Sequence, residues 1–232
     1  MTCRPAVAIL QSNYIPWKGY FDLIARVDEF VLYDDVQYTR RDWRNRNRIK
    51  TAQGLMWLTI PVVVGGRYLQ RIRDVEVSDS SWAEKHWRTI VHHYAAAPAA
   101  SDYRSALEEL YRTAPRKWLT EINEHFLVGI CGLLNIPTRF RRSSELDLAG
   151  DRSERLASIC RQLGASRYVS GPAARAYLDP APFQATGIQV DWADYSGYPE
   201  YRQLHPPFDH HVSVVDLLMN EGRNAGKFLK HA

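Results

Sequence analysis

The sequence lacks the features that mark exported, membrane-spanning or disulfide-rich proteins. It has only three cysteines, Cys3, Cys131 and Cys160, which are odd in number and far apart. Sparse cysteines argue against a disulfide framework, and no Cys-x-x-Cys motif or cysteine–histidine cluster suggests a metal site. No apolar run approaches the roughly 20 residues that cross a bilayer, and no cleavable signal precedes the first strand. We therefore expect a cytoplasmic protein with no membrane span and no bound metal.

Internal repeats, low-complexity tracts and long flexible linkers are also absent. Hydrophobic residues make up 45% of the chain and charged residues 24%, which is typical of a globular protein. A chain of 232 residues is long enough for one well-packed core. The sequence predicts a single α/β domain over residues 1–232, with a helical insertion at about 80–135.

Alternating strand and helix patterns predict the fold. Ala6–Leu10 is a continuous apolar run, Tyr20–Val27 has apolar residues at helical spacing, and Phe30–Tyr33 is a second apolar run. This order predicts a Rossmann-like, mainly parallel sheet with helices on both faces. Further strands are predicted at Thr138–Arg142, Arg167–Ser170 and Gly187–Asp191, with helices after Ser81 and at Asp102–Thr113, Lys117–Asn135, Ser153–Leu163, Gly171–Leu178 and Ser213–Asn220. An antiparallel hairpin is predicted from Leu55–Val64 and Arg71–Val77, around Gly65 and Gly66.

The loop after the first predicted strand is rich in polar and aromatic side chains. Ligands of open parallel sheets bind beyond the carboxyl ends of the strands, where this loop lies. We expect Gln11, Asn13 and Tyr14 to act on the reacting group, and Trp17 and Lys18 to bind substrate. In the alternative interpretation, the aromatic residues only cap the core beneath the loop.

Acidic residues follow the second predicted strand. Asp34 or Asp35 could act as a general base or bind hydroxyl groups, with Gln37 beside them. Adjacent strand residues point to opposite faces, so we expect at most one aspartate to face the ligand. The two acids lack the spaced Asp-x-Asp pattern of metal-dependent glycosyltransferases. The alternative is that they cap a helix or pair with nearby arginines.

The segment from 39 to 50 is strongly basic. It contains six basic residues and one aspartate, a local charge of +5 against +4 for the whole chain. Arginine gives planar, bidentate recognition of phosphate, so Arg44, Arg46 and Arg48, with Asn47, are predicted to bind a donor phosphate. Nucleic acid is disfavoured because the patch is short and no nucleic-acid motif accompanies it. A solvated loop of surface arginines is the other alternative.

Two further places carry candidate residues. His86 lies on a predicted helix beside Trp87, where it could be a general base or a packing residue. Ser170 and Gly171 lie at a strand-to-helix turn, where backbone N–H groups could hold an anion.

Several segments together resemble the WbqC-like protein family. They are VAILQSNYIPWKGYFDLI (Val7–Ile24), YDDVQYTRRDWRNRNRIKT (Tyr33–Thr51), GLMWLTIPV (Gly54–Val62), KHWRTI (Lys85–Ile90), YVSGPAARAYL (Tyr168–Leu178) and SVVDLLMNEG (Ser213–Gly222). The resemblance spans nearly the whole chain in order. It implies a role in the biosynthesis of O-antigen, other surface polysaccharides or small molecules, and it assigns no reaction.

The residues and the resemblance together favour a transferase that modifies a small substrate, such as an amino sugar. Its donor would carry phosphate, as a nucleotide or a pantetheine thioester does. We expect Asn13, Asp35 and Arg46 to share one cavity. The alternatives are a scaffold that docks an acidic acyl carrier protein or another partner, and nucleic-acid binding. The sequence identifies no cofactor.

Overall fold

The computed structural model describes residues 5–232, so Cys3 lies outside the described part of the chain. The described residues form seven strands and seven α-helices. The strands are Ala6–Leu10 (β1), Glu29–Leu32 (β2), Arg46–Thr51 (β3), Gly54–Thr59 (β4), Arg139–Arg142 (β5), Arg167–Ser170 (β6) and Gln189–Trp192 (β7). The α-helices are Lys18–Ala25 (α1), Trp82–His93 (α2), Ala100–Thr113 (α3), Leu119–Leu133 (α4), Arg152–Gln162 (α5), Ala181–Gln184 (α6) and Val214–Glu221 (α7).

Five strands form one parallel sheet in the order β5-β2-β1-β6-β7. The strands β2 and β5 lie on one side of β1, and the later strands β6 and β7 lie on its other side. The order therefore reverses between β1 and β6, where the loops after the two strands diverge and leave a crevice. The predicted α/β fold with a mainly parallel sheet is confirmed.

Helices cover both faces of this sheet because β1 is apolar on both sides. Ala8 packs into the larger core with Phe21 of α1, whereas Ile9 packs into the smaller core with Leu156 of α5. Successive strand residues face opposite layers, so a continuous apolar run is what a central parallel strand requires. Cys131 is also buried in the larger core.

The predicted hairpin is wrong in position. The antiparallel pair is β3 with β4, and only an isolated bridge between Val62 and Val77 joins the two segments that the sequence paired. The first half of the basic segment, residues 39–45, is a loop, and the second half lies in β3. Burial alternates along β3, since Asn47 and Ile49 are buried while Arg48 is partly exposed. The arginines on the exposed side made this two-residue period of a strand hard to recognise in the sequence.

The helical insertion predicted at about 80–135 corresponds to α2, α3 and α4, which lie between β4 and β5. The predicted helix after Gly171 is a short 3-10 helix, Pro172–Ala176. No helix within residues 5–232 combines the length and apolar character needed to cross a bilayer.

Candidate functional site

A crevice of about 370 Å³ lies between the carboxyl ends of β1 and β6. Gln11 from the β1 loop and Ser170 and Gly171 from the end of β6 line it together. Arg152 lies at its wall with its guanidinium 3.7 Å from the centre of the Tyr177 ring. Three residues predicted from separate parts of the sequence therefore meet at the point where the sheet reverses order. We call this cavity the switch-point crevice.

An adjoining cavity of about 290 Å³ has mainly aromatic walls, and we call it the aromatic pocket. Its lining residues are Asn13, Pro16, Trp17, Trp43, Asn47, Tyr195 and His211. Tyr195 also lines the switch-point crevice, so one tyrosine separates the two cavities. Of the predicted site residues, the aromatic pocket collects Asn13, Trp17 and Asn47.

Arg44 contacts one lining side chain of each cavity. Its guanidinium donates to the amide oxygen of Asn13 and, over 3.1 Å, to that of Gln11. Because a guanidinium has only donors, both amide oxygens must face Arg44. The NH₂ groups of both amides are therefore turned away from Arg44. Gln11 thus provides a free NH₂ donor among the residues that line the crevice. Asn13 provides one among those that line the pocket.

Two buried asparagines hold this loop in place. Asn47 donates to the carbonyl oxygens of Tyr14 and Ile15 over 3.1 and 3.0 Å, so it braces the loop as well as lining the pocket. Asn123 of α4 donates to the Ser12 hydroxyl and to the Arg44 carbonyl, both over 2.9 Å. The sequence did not point to Asn123, which lies 79 residues from Arg44 along the chain.

Asp34 is buried and also fixes the β1 loop. It accepts a hydrogen bond from the backbone N–H of Ser12 over 2.8 Å and from the Thr120 hydroxyl over 2.5 Å. Burial raises the pKa of the Asp34 carboxyl, and these hydrogen bonds partly oppose the rise. Asp34 therefore links β2, the β1 loop and α4.

Asp35 points elsewhere. Its carboxylate lies 2.6 Å from the Arg73 guanidinium and accepts from the Ser143 hydroxyl over 2.6 Å. It lines a separate cavity of about 370 Å³ at the ends of β2 and β5, which does not include Asn13 or Arg46. The expectation that Asn13, Asp35 and Arg46 share one cavity is wrong, because Asp35 is held by Arg73 and Ser143 while Arg46 lies against Trp57 on the hairpin. Asp34 also lines the cavity of Asp35, so the expectation that at most one of the two aspartates faces a cavity is wrong as well.

Tyr14 and His86 form a buried chain. The Tyr14 hydroxyl lies 2.9 Å from His86 Nδ1 and 2.9 Å from the Tyr111 hydroxyl, with the Trp82 ring packed at its edge. Burial lowers the pKa of His86 to about 4, so the imidazole is neutral at pH 7. Neither Tyr14 nor His86 lines the switch-point crevice or the aromatic pocket.

Lys18 and Gln37 also lie apart from the two cavities. The Lys18 ammonium donates to the Pro199 carbonyl over 2.6 Å, beside the ring of Tyr201. Burial lowers the pKa of Lys18 to about 8. Gln37 donates to the Tyr68 carbonyl over 3.0 Å at a distant exposed loop.

The outer side of the β3–β4 hairpin carries Trp43, Arg46, Arg48 and Trp57, which we call the arginine–tryptophan face. Arg46 lies 4.1 Å from the Trp57 ring centre, and Arg48 lies 5.5 Å from the ring centres of both tryptophans. Within residues 5–232, the Nε atoms of Arg46 and Arg48 are buried and have no hydrogen-bond partner. The face adjoins the aromatic pocket through Trp43, which belongs to both.

Sequence comparison agrees with the resemblance found in the motifs. A sequence model of the WbqC-like protein family matches residues 11–228. The chain belongs to the WbqC-like protein family. This WbqC-like protein is also 49% identical over 225 residues to "Uncharacterized protein Rv1507c" of Mycobacterium tuberculosis (strain ATCC 25618 / H37Rv), covering 97% of each chain. No solved structure matches this WbqC-like protein significantly.

Proposed function

We propose that this WbqC-like protein is a cytoplasmic biosynthetic transferase. It would transfer a group from a phosphate-bearing donor to a small substrate, in the biosynthesis of a surface polysaccharide or of a small molecule. The observation that carries the proposal is the pair of adjoining cavities that share Tyr195 and are joined beneath by Arg44. A transferase holds two molecules side by side, and two cavities that share the lining residue Tyr195 would each hold one of them.

The small substrate would occupy the switch-point crevice. Ligands of open parallel sheets bind at this position. The Ser170 hydroxyl, the Gln11 amide and tyrosine hydroxyls around the crevice can hydrogen-bond a molecule with several hydroxyl groups. Gln11 would hold the reacting group in the crevice through its NH₂ donor, and Asn13 would bind the donor molecule in the aromatic pocket. Arg44 would act as the positioning residue for both amides.

The donor would bind at the aromatic pocket with its phosphate on the arginine–tryptophan face. Arg48 is placed for this role because its guanidinium donates to the His211 carbonyl over 2.9 Å, and His211 lines the pocket. A guanidinium has five N–H donors, so the bond to the His211 carbonyl leaves others for a phosphate oxygen. A phosphate there would form charge-assisted hydrogen bonds, which are stronger than neutral ones.

The test is a thermal-shift screen of nucleotides, nucleotide sugars and coenzyme A, followed by calorimetry on Arg48→Ala and Arg46→Ala. We expect a phosphate-bearing ligand to raise the melting temperature and Arg48→Ala to weaken its binding roughly 10- to 100-fold, as loss of a charged hydrogen bond would. Arg104→Ala, at an exposed position on α3, is the matched control. If Arg48→Ala binds like Arg104→Ala, the phosphate role fails.

We also propose that the chain acts as one domain. The loop before α7 returns to the site, because the Ser213 N–H donates to the Arg48 carbonyl over 2.8 Å and the Val214 N–H to the Pro16 carbonyl over 2.9 Å. The C-terminal part therefore supports both the hairpin and the β1 loop.

A second candidate function is a scaffold that docks an acidic carrier protein. It is favoured by the exposed Leu55, Met56 and Trp57, which lie on the hairpin beside Arg46 and Arg48. Apolar side chains ringed by basic ones suit an acidic protein surface. A scaffold would bind a carrier protein and lack turnover, whereas the transferase would consume a donor.

A further inference from the structure

We infer that the donor is a nucleotide, with its base in the aromatic pocket and its phosphate on Arg48. This inference rests on the proposed function and deepens it, because a phosphate-bearing donor need not contain a base. Nucleotides, including the nucleotide portion of coenzyme A, would fill both positions. Sugar phosphates and phosphopantetheine have a phosphate but no base.

The walls of the aromatic pocket favour a flat ring. Trp17 is held in place by edge contacts with Tyr195 and Tyr198, whose ring centres lie 5.3 and 5.6 Å away. Trp43 is 39% exposed and has the Trp57 ring 5.4 Å away. The pocket of about 290 Å³ lies at the lower end of the size range of small-molecule sites, which suits one compact ring system. The His211 ring is stacked 6.1 Å from Trp17, so Trp43 is the tryptophan that offers a stacking surface to a nucleobase.

Hydrogen-bonding groups in the pocket argue against a sugar ring there. Both hydrogen-bonding ends of the Asn47 amide are engaged by backbone groups, which leaves the Asn13 NH₂ as the free amide donor among the lining residues. A base carbonyl or ring nitrogen needs few such partners, whereas a sugar presents a hydroxyl on most of its carbons. The switch-point crevice, with Ser170, Gln11 and several tyrosines, is better equipped for hydroxyl groups.

The position of Arg48 favours a ring that carries an anion. Its guanidinium lies 5.5 Å from the Trp43 ring centre and donates to the His211 carbonyl, so it is next to two walls of the pocket. Arg44, which contacts Asn13, is paired with the Asp42 carboxylate 3.6 Å away, so Arg48 is the cation available to an anion at the pocket. An aromatic site with these neighbours repels a cation and attracts a phosphate. A nucleoside monophosphate combines the ring and the anion that such a site would take.

The experiment measures binding of six probes by calorimetry: uridine, uridine monophosphate, adenosine, adenosine monophosphate, ribose 5-phosphate and 4′-phosphopantetheine. We expect at least one monophosphate to bind more tightly than ribose 5-phosphate. Trp43→Ala should weaken that nucleotide roughly 5- to 150-fold, the range for loss of base stacking. Arg48→Ala should weaken the nucleotide and leave its nucleoside unchanged.

Tyr68→Ala is the matched control, since Tyr68 is an exposed aromatic residue that lines neither the aromatic pocket nor the switch-point crevice. It should leave nucleoside binding unchanged. Asn13→Asp provides a second test at a different wall, because a carboxylate can still accept from Arg44 but offers no donor to the base. We expect Asn13→Asp to weaken both nucleoside and nucleotide.

The outcomes separate the two proposals. If ribose 5-phosphate or phosphopantetheine binds as tightly as the nucleotides, and Trp43→Ala changes nothing, the base assignment is overturned while the phosphate role of Arg48 stands. If no phosphate-bearing molecule binds the wild-type protein, the base assignment and the proposed function fail together. Nucleotide binding that depends on Arg48 but not on Trp43 or Asn13 also overturns the base assignment.

Discussion

The buried histidine of α2 should make stability depend on pH in a defined direction. Burial lowers the pKa of His86 from its ordinary value of 6.5 to about 4. The unfolded chain therefore binds a proton at this residue more readily than the folded protein does. The contribution of the neutral His86 imidazole to the free energy of unfolding is fully present above pH 6.5. It is lost as the pH falls toward 4.

The size of the effect follows from the two pKa values. Between pH 7 and pH 4.5, preferential protonation of the unfolded state should cost about 2–3 kcal/mol at this one residue. Protonation also removes the acceptor lone pair of Nδ1, which lies 2.9 Å from the Tyr14 hydroxyl. A His86→Gln variant has no titrating group and retains an amide that can hydrogen-bond Tyr14.

The assay is urea denaturation of the parent protein and of His86→Gln at both pH values. Other groups titrate alike in the two proteins, so the difference between their losses isolates His86. We expect the free energy of unfolding of the parent to fall by about 2–3 kcal/mol more than that of the variant. His92→Gln, at an exposed position on the same helix, should follow the parent. A parallel loss in parent and His86→Gln would refute a neutral, buried His86.

Three other substitutions test the loop that lines the site. Gly19→Ala places a methyl group against the indole of Trp17 and should destabilise the protein by about 1–3 kcal/mol, with a shift in tryptophan fluorescence. Asp34→Ala leaves the buried N–H of Ser12 without its acceptor and should lower the free energy of unfolding by about 2 kcal/mol, measured in urea. Arg44→Met removes the donors that hold both site amides and should cost about 2–3 kcal/mol, with weaker binding of any ligand found by thermal shift. Unchanged unfolding curves for these variants would contradict the contacts described.

The parallel sheet was predictable because its signals are local. The apolar run Ala6–Leu10 has the same bounds in the sequence prediction and in the structure, and β6 was also placed correctly at Arg167–Ser170. The hairpin was misplaced because arginine is not a typical strand residue. The clue was the alternation of Arg46, Arg48 and Lys50 with smaller or apolar residues, a period of two within a basic run.

The site was only partly predictable because long-range contacts assemble it. The sequence pointed to Gln11, Asn13 and Trp17, which follow a strand end and so have a local signal. Tyr195 and His211 come from the loops after β7, and no nearby motif marks them. Sequence alone also could not show that Arg44 lies beneath the loop, since its amide partners are more than thirty residues away.

Because the Arg44 guanidinium donates to both Asn13 and Gln11, ligand binding in the two cavities would be coupled if each cavity binds a molecule as proposed. A ligand in the crevice that breaks the bond between Gln11 and Arg44 would change how Arg44 holds Asn13. The affinity of the aromatic pocket for its own ligand would change as a result. By thermodynamic linkage the influence must be equal in both directions. A ligand bound in the switch-point crevice would therefore change the affinity of the aromatic pocket, and the reverse. The two ligands would bind cooperatively within a single chain.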